Sequence, residues 1–200
     1  MAQEIRDDNP FYKNWHSLIS PEQLEVDEGT LTSRYGKFVC QPLERGFATT
    51  IGNSLRRIML SSIRGAAITS VRLGSALHEF TTIDGVHEDV AEIILNLKQV
   101  RVKLNGPESR TVIIEKTGPG KLLAGDINSG SYVEIMNPDL YLATLDNAES
   151  RLSVEFHANV GHGYVPATMV EGMPLGVIPV DAIYSPIRKI NFHVDKTRVG

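Results

Sequence analysis

A single cysteine, Cys40, in 200 residues excludes an internal disulfide framework and fits a reducing compartment. Sitting in a strand-like pattern, it is expected to be a small buried apolar residue. No apolar run approaches the roughly 20 residues needed to span a bilayer. The opening Met1-Ala2-Gln3-Glu4-Ile5-Arg6-Asp7-Asp8 lacks the basic-then-apolar order of a secretory signal. A cytoplasmic location without membrane contact is therefore expected. Surplus positive charge is also lacking: the net charge is −4, residues 1–30 carry −5 through seven acids set against Arg6 and Lys13, and the remainder carries +1. A chain that grips phosphates by itself shows a basic face, so any dealing with DNA is expected to be indirect.

Catalytic signatures are missing as well. There is no Gly-x-x-x-x-Gly-Lys-Ser/Thr loop, no Gly-x-Gly-x-x-Gly fingerprint and no Gly-x-Ser-x-Gly elbow,. No Asp-x-Asp pair is available to hold magnesium, and the only adjacent aspartates, Asp7-Asp8, lie near the N-terminus,. His87-Glu88 lacks the second histidine of a zinc-protease helix. His157 and His162 are too isolated from further ligands to make a convincing metal site,. His78-Glu79 and the turn Gly161-His162-Gly163-Tyr164 are read as structural, with the two glycines supplying positive φ or close approach. No catalytic residue, cofactor or metal is expected.

What is present is the composition of a soluble globular protein, 42% hydrophobic and 22% charged,. The length allows one domain or two small ones. Residues 1–30 read as an acidic arm with an aromatic cluster at Phe11, Tyr12 and Trp15. Tyr35–Leu43 reads as a strand that Pro42 ends or marks as an edge, and Ala67–Leu73 as a strand with Ala67, Thr69, Val71 and Leu73 on one face. A helix is expected from about Gly85 to Lys98, capped by Asp84, with Val86, Val90, Ile93, Ile94 and Leu97 on its apolar face. Strand patterns follow at Val100–Leu104, Thr111–Glu115, Tyr132–Met136, Leu140–Leu145, Leu152–Val160 and Ile187–Val194, with turns at Asn105-Gly106-Pro107, Gly118-Pro119-Gly120, Asn128-Ser129-Gly130 and Asn137-Pro138. Few helices among many mostly antiparallel strands make the fold class α+β.

The stretch from Gln41 to Ser62 is the most informative. With Thr49 or Thr50 as N-cap, Ile51, Leu55, Ile58, Met59 and Ser62 fall on one helical stripe, and Arg64-Gly65 supplies a glycine stop. Gly46, Ala48, Gly52, Ser54, Ser61 and Ser62 are small. Glycine inside a helix costs roughly 1 kcal/mol relative to alanine, so Gly52 suggests close approach by a neighbour, although an incidental glycine in a core helix is the plainer alternative. Arg56-Arg57 read either as a solvated face or, given the way arginine serves interfaces, as a contact.

The wording of this stretch is more specific than its periodicity. Leu43-Glu44-Arg45-Gly46-Phe47, the Thr-x-Gly-Asn-x-Leu-Arg-Arg-Ile run from Thr50 to Ile58, and Leu60-Ser61-Ser62 resemble the N-terminal domain of the bacterial RNA polymerase α subunit family. Leu77-His78-Glu79-Phe80, Gly85-Val86-His87-Glu88-Asp89, Leu95-Asn96-Leu97-Lys98, Gly163-Tyr164-Val165-Pro166 and Val180-Asp181-Ala182-Ile183-Tyr184-Ser185-Pro186 continue the resemblance in order, over about residues 31–195.

That resemblance implies a dimerisation subdomain, residues 31–64 and 186–200, with a strand-rich subdomain inserted at 65–185. It implies a non-catalytic subunit that forms a homodimer and recruits the β and β′ subunits of DNA-directed RNA polymerase. By position, Phe47, Ile51, Leu55, Ile58 and Met59 would lie in the dimer contact, Arg57 and Leu60 would face the β subunit, and Lys98 and Val180 the β′ subunit. In the family a further helix, a linker and a small DNA-contacting domain follow the last strand, whereas this sequence stops at Gly200. The expectation is a weakened dimer and DNA contact only through the assembled enzyme. Two rival readings are an unrelated small-molecule enzyme with a cleft between subdomains and an oligomeric scaffold outside the polymerase.

Overall fold

The longest strand pattern, Arg151–His162, is the axis of the computed structural model, which describes residues 18–19, 21, 23–106, 109–127, 130–168 and 173–196. The aromatic cluster Phe11, Tyr12 and Trp15, the Asp7-Asp8 pair, most of the Asn128-Ser129-Gly130 turn and residues from Thr197 onward lie outside the described residues. The chain divides into two compact units, one containing residues up to Arg57 together with those from Ile190 onward, the other Ile58–Lys189.

In the first unit, β1 (Leu24–Val26) pairs antiparallel with β2 (Phe38–Cys40). The acidic arm is therefore partly a strand. β2 is shorter than the Tyr35–Leu43 pattern, since Pro42 has no N–H to extend a ladder. Cys40 is exposed, which corrects the expected burial: a two-stranded hairpin has no second layer to cover it. Helix α1 (Phe47–Ser61) follows, its residues up to Arg57 in this unit. It begins two to three residues ahead of the proposed threonine caps and ends before the expected glycine stop, because Arg64-Gly65 already belong to β3 (Arg64–Leu73).

The second unit contains the remaining elements: α2 (Val90–Leu97), β4 (Val102–Leu104), β5 (Ser109–Thr117), β6 (Gly120–Leu123), β7 (Val133–Ile135), β8 (Tyr141–Leu145), β9 (Arg151–His162), β10 (Tyr164–Val165), β11 (Ile178–Pro179) and β12 (Ala182–Ile183). The main sheet has the order β11-β3-β9-β5, all antiparallel; β4-β7, β6-β8 and β10-β12 form two-stranded pairs. Strict alternation along β9 and β5 sends Leu152, Val154, Phe156 and Ala158, with Val112 and Ile114, into the core,.

On β3 the alternation breaks. The register with β9 slips between Ile68 and Ser70, so Thr69 is an extra residue,. Ile68 thereby joins Val71 and Leu73 on the core face, while Ala67 packs with Ala182 and Tyr184 in a second cluster. The expected single face of Ala67, Thr69, Val71 and Leu73 is corrected by that bulge.

Helix α2 closes the core. Val90, Ile93, Ile94 and Leu97 are all buried, each contributing about 1.5–3 kcal/mol on burial. The helix starts five residues later than its sequence pattern indicated, because Asp89, not Asp84, is the cap: its Oδ1 accepts from the Glu92 N–H at 2.7 Å, an arrangement worth about 1 kcal/mol. Val86 is buried without being helical. Glu88, also buried, accepts from the Thr144 N–H at 2.7 Å and from the Tyr141 hydroxyl, which ties the entry to α2 to β8. Residues Ile187–Val194 form no strand: among the described residues no neighbouring strand pairs with them, and an extended segment without a partner has no ladder.

Burial pushes the Tyr141 hydroxyl above the ordinary tyrosine range, reinforced by its bond to Glu88. Burial does the same to Tyr184, against the opposing bond to Asn159. A group whose pKa is raised on folding gives stability that is complete below its unfolded value, about 10 for tyrosine, and lost as pH rises through the folded value. Thermal unfolding followed at pH 8 and pH 11 is expected to show lower stability at the higher pH. A flat profile would mean that neither phenol is held neutral by the fold.

Candidate functional site

Helix α1 has the heptad-like spacing of an amphipathic helix, yet none of its residues is buried. Phe47, Leu55 and Ile58 are 40%, 51% and 56% exposed, and Ile51 and Met59 are half-buried. Steps of four and three residues join Phe47, Ile51, Leu55 and Ile58, and Met59 lies four residues beyond Leu55, so all five share one side of the helix. The stripe is thus an exposed apolar patch of the single chain, not a core face,. Arg57 is exposed and Leu60 half-buried; three residues apart, they also share a side of the helix. The close packing anticipated at Gly52 is intramolecular: a β-carbon there would lie 2.6 Å from the Phe192 ring. Phe192, in the segment that forms no strand, was not singled out in the sequence.

A second arrangement lies in the other unit. Lys98 is the C-cap of α2, and its Nζ donates to Oδ1 and Oδ2 of Asp181 at 2.6 and 2.8 Å. Both side chains are 26% exposed. The hydrogen bond from Lys98, and then its charge, hold the Asp181 carboxyl below the usual carboxylate range. Val180, the other residue paired with Lys98 in the sequence reading, is in the core at 4% exposure. The structure thus brings Lys98 and Val180 to one place, but the side chain offered at the surface beside Lys98 is that of Asp181. The Val-Asp-Ala motif contained Asp181 in plain view; nothing in a linear pattern indicates pairing across 83 positions.

The His157 ring nitrogens meet Ser109 Oγ at 2.9 Å and Thr111 Oγ1 at 3.2 Å. His162, five positions along β9, falls on the opposite face. Among the described residues no group of three or more His, Cys, Asp or Glu is placed to hold a metal ion. A cavity of about 260 Å³ within the second unit is lined by Arg64, Gly65, Ala66, Val102, Lys103, Leu104 and Val160, so its side chains include two cations and no carboxylate, histidine or hydroxyl. No described helix is long and apolar enough to cross a membrane.

Comparison with known proteins converges on one group. The family model for the RNA polymerase Rpb3/RpoA insert domain matches residues 67–185. The chain is 55% identical to the DNA-directed RNA polymerase subunit alpha of Desulfotalea psychrophila over 202 aligned positions, covering 100% of this chain and 59% of that protein. It is 52% identical to the subunit of the same name from Geobacter metallireducens, covering 94% of this chain and 56% of the relative. With the one from Alkaliphilus metalliredigens it shares 55% over 89% of this chain and 57% of the relative. The chain therefore spans under three-fifths of the length of these curated relatives.

Proposed function

Since the chain belongs to the RNA polymerase α subunit family that carries the Rpb3/RpoA insert domain, we propose that it is an assembly scaffold of DNA-directed RNA polymerase, a non-catalytic subunit that dimerises and recruits the β and β′ subunits. One observation supports this most directly: the apolar stripe Phe47, Ile51, Leu55, Ile58 and Met59 is uncovered in the single chain, as the centre of a symmetric dimer contact requires. In this reading, residues 31–64 and 186–200 form the dimerisation subdomain and 65–185 the insert. Two identical copies then meet two different partners, Arg57 and Leu60 serving the β subunit and the Lys98–Val180 region the β′ subunit, so assembly breaks the symmetry of the dimer. The chain works in the cytoplasm, needs no cofactor of its own and meets DNA only through the assembled enzyme. Neither rival, a small-molecule enzyme or a scaffold outside the polymerase, has an observation in its favour.

Co-expression with the β subunit, followed by chromatography with light scattering, tests the reading. A particle of two copies of this chain with one β subunit is the expected mass, and failure of the two to co-elute at any ratio would overturn the proposal. In the same assay Arg57→Ala is expected to weaken capture of the β subunit by about 2 kcal/mol or more, the size of an interface anchor, with the variant still folded. Equal capture by variant and parent would remove Arg57 from the β contact.

A further inference from the structure

Asp181 is better fixed than the lysine it holds. The N–H of its neighbour Val180 donates to the Thr69 carbonyl at 2.8 Å, at the bulge of β3. Val180 and Ala182 on either side are buried at 4% and 2%, and Ala182 is paired in β12. The backbone of Asp181 is thus pinned from both sides while its carboxylate turns outward. Lys98, by contrast, ends a long flexible stem that loses much rotamer freedom when fixed. An ammonium has three donors; the two carboxylate oxygens of Asp181 take two of them.

We infer that Asp181 is a positioning residue for assembly, holding the Lys98 ammonium in one orientation so that its third N–H, in a charge-balanced pair, meets an uncharged acceptor such as a main-chain carbonyl of the β′ subunit. The inference rests on the proposed polymerase role and deepens it. A lone lysine would recruit through its net charge, with a strong dependence on salt. A neutral pair recruits through geometry. The depressed carboxyl of Asp181 agrees with a close pair, the hydrogen bond from Lys98 and then its charge favouring the ionised form.

Three readouts on Asp181→Asn, which keeps the shape and removes the charge, test it. First, ¹⁵N relaxation of lysine ammonium groups in the free chain should show Lys98 ordered in the parent and mobile in the variant. Second, the complex of this chain with the β subunit should capture the β′ subunit at least about five-fold more weakly, the range of coupling seen for paired groups, with the β subunit bound as before and Asp181→Glu recovering part of the loss. Third, capture should vary little with salt in the parent and more steeply in the variant.

Unchanged capture of the β′ subunit by Asp181→Asn, while Lys98→Ala loses it, overturns the inference and leaves the polymerase reading standing. If Lys98→Ala also captures normally, this face is not the β′ contact: the inference and that assignment fall, while the scaffold reading stands on its own test. Parallel loss of both subunits with a lowered thermal midpoint makes Asp181 a structural pin only, and overturns the inference too.

Discussion

Gly65→Ala is expected to destabilise the protein by about 3 kcal/mol or more. A β-carbon at Gly65 would lie 2.0 Å from the carbonyl oxygen of Tyr184 and 3.1 Å from its carbonyl carbon. Overpacking usually costs about 1–3 kcal/mol because side chains give way. Here the obstacle is backbone held from several directions. The Tyr184 N–H donates to the Gly163 carbonyl at 2.9 Å, its hydroxyl donates to Asn159, and its ring lies where a β-carbon at Gly161 would stand, 2.8 Å away. Gly65 itself is paired opposite Gly161 in the β3–β9 ladder. Neither strand can retreat without breaking that ladder or the cluster of Ala67, Ala182 and Tyr184. Urea unfolding of parent and variant measures the difference. A loss below about 1 kcal/mol would mean that the segment carrying Tyr184 yields, and that this cluster is loosely held.

What could be read from sequence was what depends on local period. The alternation of Leu152–Val160 and Thr111–Glu115 gave β9 and β5, and the spacing of Val90, Ile93, Ile94 and Leu97 gave the buried face of α2, as the burial of all four confirms. Features decided by long-range partners were not legible. The choice of Asp89 over Asp84 as cap depends on where Glu88 is drawn into its bonds with Thr144 and Tyr141. The extra residue at Thr69 is invisible until β9 fixes the register. Ile187–Val194 alternates as a strand should, but alternation does not supply a partner, and Phe192 lies instead against Gly52. The same limit applies to the candidate sites. The stripe on α1 followed from period alone, whereas whether it faced a core or open water depended on burial. The pair Lys98–Asp181 joins the end of a helix to a segment far along the chain, and only the fold makes them neighbours.

The openness of α1 makes its role separable from its contribution to folding, and Leu55→Asp exploits this. Leu55 is 51% exposed in the single chain, so an aspartate there remains hydrated and costs the monomer about 0.5 kcal/mol in helix propensity and about 1 kcal/mol for the half of the leucine that was covered. In the proposed dimer the same carboxylate would be buried against the partner copy without a cation assigned to it. Leaving a charge unpaired in an interface costs about 2–5 kcal/mol, and a two-fold contact carries the substitution on both sides. The dimer dissociation constant is therefore expected to rise by about a hundredfold or more, while the monomer stays folded with its thermal midpoint lower by only a few degrees. Sedimentation at concentrations where the parent is dimeric separates the alternatives. A monomeric, folded variant assigns the stripe to self-association. A variant that remains dimeric would move the contact off this face of α1, and with it the reason for so small and apolar a helix surface.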